Sequence, residues 1–384
     1  FKISFNSRFE LESPTEKTFG TSNTTLTLVA GFGGQFRISS ENSKVIKQTT
    51  KKTAKLFVAD DVTLDPRIIE VGKWLEGFAL DGNNLWVAES GQRTLAKVNF
   101  YTGEVQKRFK VGRLPVDTVV VGDSTYTLVA TDRLLLKHSK SGRKSQLTSL
   151  EGCPVKMIAS GADLFVLGLP ACSSESSRVT RVDTVNGTKK SSPDLGEWAN
   201  AITATGSDVW VGHARYPAIS IVNKAQLTVE KVDLAGVEVW ALASNKLSVF
   251  AGGRPTSAGI ALDDGSIVMV DARSRKEISR YSVTEMVMEI TANEDYVVAI
   301  GRQGTIWVFS AIDLSLIRTI HSSTGPYDPS MVHIAGNDLI ISARTYRGDN
   351  GAILVFSNGI FSELARARIK GISSSDNSNS ADQG

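Results

Sequence analysis

An all-β chain forming a seven-bladed β-propeller of four-stranded antiparallel blades is the architecture this sequence predicts. Three observations predict it. A unit of roughly 35 to 45 residues recurs from Leu75 onward, the period of a propeller blade rather than of a shorter solenoid. Within each unit the apolar residues fall in short alternating runs of strand length. Gly, Asn and Asp turns separate the runs, which is a hairpin signal. The 384 residues fit one domain, because all-β rings exceed the usual domain size.

The first unit shows the pattern best. Residues 75–80 (LEGFAL), a turn at 81–84 (DGNN), 85–88 (LWVA), 95–99 (LAKVN), a turn at 101–103 (YTG) and 104–110 (EVQKRFK) read as strands A to D. Six further copies open near Val116, Val155, Asn200, Glu238, Val287 and Ser330. Their second strands read TLVA, LFVL, VWVG, SVFA, YVVA and LIIS. Arranged radially, such sheets leave few open edges, so the chain can be all-β without aggregating.

The propeller is therefore placed at residues 73–371. Residues 1–72 fit the register poorly, although 25–30, 34–38, 45–49 and 56–59 are strand-like. They are read as an N-terminal extension that supplies a closing strand or partial blade, with an eighth blade or a separate cap as alternatives. Residues 372–384 are Ser-, Asn- and Asp-rich and are read as a disordered tail or linker.

A composition of 41% hydrophobic and 22% charged residues sustains a large core and excludes general disorder. The formal net charge of +3 is too small to point to nucleic acid. Lys44 to Lys55 holds five lysines without an acid, a pattern that a solvated strand or linker explains. No apolar run reaches the length of a membrane span. The compartment is open, with a lean to the cytoplasm.

The third strands at 265–271 (GSIVMVD), 304–309 (GTIWVF) and 351–356 (GAILVF) resemble the G-x-I-x-V-W-D strand of WD-repeat proteins, and only the first keeps the Asp. The first unit, with LWVAES and TGEV, is similar to the bacterial YVTN-type propellers. The Gly-His and Trp-Asp dipeptides of regular WD repeats are missing. The resemblance implies a divergent propeller and leaves function to be argued from the site.

Blade topology puts the D-to-A and B-to-C connections on one face, where the longer loops fall, and long loops on a rigid scaffold are where binding is usually placed. Arg93, Arg215, Arg254, Arg302, Arg344 and Arg347 follow second strands there, a set suited to carboxylate or phosphate recognition. Trp74, Trp198 and Trp240 stand beside first strands near the same face, and Trp with Arg is the usual composition of an interaction hot spot. Pairing of the arginines with Glu89, Asp263, Asp264 or Asp349 is the structural alternative. Arg347-Gly348-Asp349 spells an adhesion tripeptide, which a turn rich in Gly and Asn produces by chance. The first reading is thus a protein-interaction module for an acidic or phosphorylated peptide or protein, with no cofactor and no catalytic residue.

Two alternatives stand beside it. Glu76, Asn200 and Glu238 open first strands toward the central channel and resemble, through Glu76 and Asn200, the Glu/Asn/Asp site of propeller lactonases. That resemblance implies Ca²⁺ or Mg²⁺ and a hydrolase or lyase. The second alternative is a purely structural propeller of a larger protein. His138, His213, His321 and His333 show no metal-ligand spacing. Cys153 and Cys172 flank a hairpin turning near Gly161, so a disulfide between them is feasible and would argue for an exported protein.

Overall fold

The computed structural model describes residues 2–5, 27–28, 36–39, 54–55 and 59–361, apart from 142, 171, 174, 257–263, 323–326, 348 and 358–359. The tail at 372–384 and the strand-like run at 45–49 lie outside the described residues. The chain divides at Asp60 into two units. In the first, Lys2–Phe5 pairs with Phe36–Ser39 and Thr27–Leu28 with Ala54–Lys55, both antiparallel.

The second unit is a ring of seven antiparallel blades, each a meander of strands A to D from the axis outward. Blade 1 comprises Leu75–Asp81, Asn84–Glu89, Thr94–Asn99 and Val105–Lys110. The innermost strands of blades 2 to 7 begin at Pro115, Cys153, Ala199, Val237, Val287 and Pro329. Each lies within two residues of the start expected from the repeat. The outermost strand of blade 7 is Arg67–Lys73, which pairs antiparallel with Asn350–Phe356 and so joins the two ends of the propeller chain. Blade 6 carries a fifth outer strand, Asp60–Leu64.

The core is divided among the interfaces between blades. Seven clusters of buried side chains each draw on two neighbouring blades. Trp86 and Leu95 meet Val129 and Leu136 between blades 1 and 2, and Ile69 and Val71 meet Leu75 and Phe78 where the ring closes. Second strands are buried on both sides, whereas fourth strands are largely exposed and carry charge, as in Val105–Lys110. Blades approach closely: a Cβ on Gly212 or Gly252 would overlap Val239 or Val287 of the next blade, so only glycine fits there.

Every innermost strand is interrupted near its start by a β-bulge, at Val116, Val155, Asn200, Trp240, Met288 and Ser330 and between Leu75 and Phe78. A bulge sets two residues opposite one partner and re-aims those that follow. The axial channel is consequently lined by Gly77, Asp117, Lys156, Glu289 and Met331. Val116 and Ser330, which open their first strands, line the same cavity, whereas Glu76, Asn200 and Glu238 are not among its lining residues.

Candidate functional site

The loop-rich face begins where each fourth strand turns into the next first strand. The residue immediately before strand A has a left-handed backbone in five blades: Trp74 (φ 55°), Leu114 (φ 60°), Gly152 (φ 69°), Trp198 (φ 54°) and Gly236 (φ 82°). Glycine reaches this conformation without strain, whereas for a bulky residue it is an outlier. Three corners therefore present a large apolar side chain where glycine would be the unstrained choice. Trp74 and Leu114 keep 45% and 44% of their surface exposed. Tyr216 is also exposed, in the B-to-C connection of blade 4. Leu114 and Tyr216 were not among the residues expected here, since neither falls in a repeat-wide motif.

The arginines divide by partner. Two are ion-paired: Arg344 Nη2 lies 2.8 Å from Glu76 Oε2 and its Nη1 3.3 Å from Asp328 Oδ2, while Arg254 Nε lies 2.7 Å from Glu238 Oε2. Burial pulls the Arg344 guanidinium down, but Glu76 and Asp328 outweigh it and hold the group above its ordinary value. Arg215 instead stacks on Trp198 with its guanidinium carbon 3.9 Å from the ring centre. Arg93 and Arg302 are exposed and form no ion pair with a described residue. The side chain of Arg347 lies outside what the structure describes. Trp240 is the bulge residue near the start of its strand, half-buried, and its indole N–H is buried without a partner.

The residues of the metal alternative are spread over three blades and engaged elsewhere. Glu76 accepts from Arg344 and from Ser90 Oγ at 3.1 Å, Glu238 from Arg254, and Asn200 Nδ2 donates to the Trp240 carbonyl at 3.0 Å. Among the described residues no three His, Cys, Asp or Glu side chains are grouped so as to hold a metal ion. Cys153 and Cys172 form a disulfide that ties the start of blade 3 to its B-to-C loop on this face.

The channel itself holds a charged group that the repeat pattern did not reveal. Lys156 of blade 3 and Glu289 of blade 6 meet across the axis at 2.9 Å. Asp117 of blade 2 stands beside them and accepts from the Met157 and Thr118 N–H groups, each at 2.8 Å. Burial pushes the Asp117 carboxyl up to about 6 against the opposing pull of those N–H groups and Lys156. Glu289 is raised by burial, partly offset by Lys156. Burial lowers Lys156, yet Glu289 outweighs it and holds the ammonium above the usual lysine value.

No family model matches the chain, and no curated protein matches it. Solved structures do. A streptogramin B lyase superposes with a TM-score of 0.60 at 11% identity, over 75% of this chain and 96% of that one. U3-55K gives 0.60 at 11% over 76% and 98%, and the WD40 repeats of RRP9 give 0.61 at 10% over 76% and 97%. At such identities the likeness carries the fold alone. The chain is a seven-bladed β-propeller that shares its fold with WD40-repeat proteins.

Proposed function

We propose that the chain is a partner-binding propeller whose loop-rich face captures a peptide or protein segment. Trp74, Leu114 and Trp198 supply apolar anchors, and Arg93, Arg215 and Arg302 select acidic or phosphorylated side chains. The observation that carries this reading is the left-handed backbone at three bulky blade corners, two of which stand open to solvent. Such a conformation costs on the order of 1 kcal/mol or more per residue and is retained mostly where the side chain is needed. Glycine at Gly152 and Gly236 shows that the corner itself does not require bulk. Acid selection belongs to Arg93, Arg215 and Arg302, because Arg254 and Arg344 already face carboxylates. Displaced from an existing pair, those two would offer an incoming acid little net gain.

The test is selection of a displayed random-peptide library on the wild-type chain, followed by affinity measurement on Trp74→Gly/Leu114→Gly and Arg93→Ala/Arg215→Ala/Arg302→Ala. Selected peptides should be acidic and should lose at least about tenfold on each variant, a loss of roughly 1.4 kcal/mol. The glycine variant should melt no lower than wild type, since it removes strain. Peptides that bind both variants as tightly as wild type would overturn the reading.

A further inference from the structure

The small net charge of +3 conceals an uneven distribution around the ring. Strands C and D of blade 1, with their turn (94–110), carry Lys97, Lys107, Arg108 and Lys110 against Glu104. In blade 2 (134–149), Lys137, Lys140, Arg143 and Lys144 meet no acid at all. Blade 3 (178–191) has Arg178, Arg181, Lys189 and Lys190 against Asp183. The same strands in blade 4 balance Lys224 and Lys231 with Glu230 and Asp233, and in blade 6 Arg318 with Asp313. In blade 5 (265–283), Arg273, Arg275, Lys276 and Arg280 stand against Asp271 and Glu277, and Arg275 and Arg280 are ion-paired with Glu230, Asp208 and Glu277.

Three members of the basic set are neutralised, Arg108 by Glu89, Lys140 by Asp123 and Arg181 by Asp163. The others form no ion pair with a described residue. The three edges are continuous: Lys144 Nζ donates to the Lys110 carbonyl at 2.8 Å, Lys137 Nζ to that of Thr184 at 3.2 Å, and Lys189 Nζ to that of Ser149 at 2.9 Å. Lysines on edge strands are a common protection against edge-to-edge pairing. Protection alone does not explain why blades 1 to 3 carry so much more unbalanced charge than the equally exposed edge of blade 4.

We infer that the outer edges of blades 1 to 3 form a binding belt for a linear acidic polysaccharide. A convex belt of this kind is followed by a flexible polyanion, whereas a flat bilayer would touch it along one line. Its fourth strands expose no large apolar side chain, and the exposed Tyr101 and Val185 stand singly in the C-to-D turns of blades 1 and 3, without the contiguous apolar face that inserts among lipids. Tyr101 is the one exposed aromatic among the described residues of these segments, too little to form the series of platforms on which successive unpaired bases stack. The charges are mainly lysine ammoniums, point charges that accept carboxylate or sulfate without the forked geometry arginine imposes. The disulfide in blade 3 belongs to oxidising compartments, where acidic glycans are displayed. The belt lies on the circumference, apart from the loop-rich face, and does not depend on the peptide reading.

The experiment titrates the full chain with fluorescent heparin and polygalacturonate oligosaccharides at several salt concentrations. A single-stranded RNA oligonucleotide and vesicles rich in phosphatidylserine serve as comparison probes. Both glycans should bind with affinity that falls steeply as salt rises. Lys107→Gln/Arg143→Gln/Lys190→Gln, none of which donates to a neighbouring blade, should weaken glycan binding about tenfold or more with an unchanged melting temperature. Lys224→Gln/Lys231→Gln/Arg273→Gln on blades 4 and 5 should leave it within twofold. Equal losses in both variants, absence of glycan binding, or tighter binding of RNA or vesicles than of either glycan would overturn the inference.

Discussion

Single residues carry two opposed acid–base balances in the core of the ring. Asp117 is buried, with its carboxyl pushed up to about 6 from 3.8 mainly by burial. Its raised value means that the folded state keeps a proton the unfolded chain has released, so its contribution is full below pH 3.8 and is lost as pH climbs through 6. His138 has the opposite sign. Both ring nitrogens are buried without a partner, between Trp86 and Phe109, and burial with the nearby Lys144 charge lowers it to about 4. Its contribution is full above pH 6.5 and is lost as pH falls toward 4. Each amounts to about 3 kcal/mol, so in the wild type they offset one another between pH 4 and 6. Urea denaturation across that range should show Asp117→Asn gaining stability relative to wild type as pH rises. His138→Phe should gain relative to wild type as pH falls. Parallel profiles for all three proteins would show that other groups set the acid response.

At the level of the strand, what could be read from sequence was what repeats locally. The A-to-B hairpins were legible because their apolar alternation and turn residues sit within about ten residues of each other, and Trp86, Trp210 and Trp307 fall in the core accordingly. The bulge in each first strand was not legible, since a two-residue period carries no mark of an extra residue, and Asp117, Lys156 and Glu289 were therefore not foreseen in the channel. The strained corners escaped notice for a related reason: Trp74 and Trp198 occupy a conformation whose usual sequence mark is glycine. The closing strand pairs with a segment nearly a whole ring away, so no local pattern ties Arg67–Lys73 to Asn350–Phe356. That pairing makes a prediction about its two faces. Ile69 and Val71 are 3% and 7% exposed inside the cluster joining blades 7 and 1, while Ile68 is 37% exposed. Ile69→Ala and Val71→Ala should each cost about 2–4 kcal/mol in urea denaturation and Ile68→Ala under about 1. An Ile68→Ala variant as unstable as Ile69→Ala would mean that the strand does not close the ring in this register.

Across the whole molecule, inter-blade packing alone would leave the ring held only between neighbours. The Lys156–Glu289 pair adds a connection of another kind, because it joins blades three positions apart through the channel rather than along the circumference. Lys156 keeps 33% of its side chain open and Glu289 15%, so the pair is intermediate between a surface bridge and a fully buried one. A pair in that situation contributes little compared with two well-packed apolar groups, yet stranding one partner leaves a poorly solvated charge. Lys156→Met should therefore cost about 2 kcal/mol by leaving Glu289 beside Asp117, two carboxylates with no ammonium between them. Glu289→Met should cost less, since Lys156 retains Asp117 as a neighbour. The double variant should recover most of the loss, giving a coupling of about 1–2 kcal/mol in a double-mutant cycle. The same cycle at pH 5 should shrink, because Asp117 then holds its proton and the stranded carboxylates of Lys156→Met repel less. A coupling near zero at both pH values would mean that the two side chains share the channel without bracing it, and the ring would then rest on its seven interfaces alone.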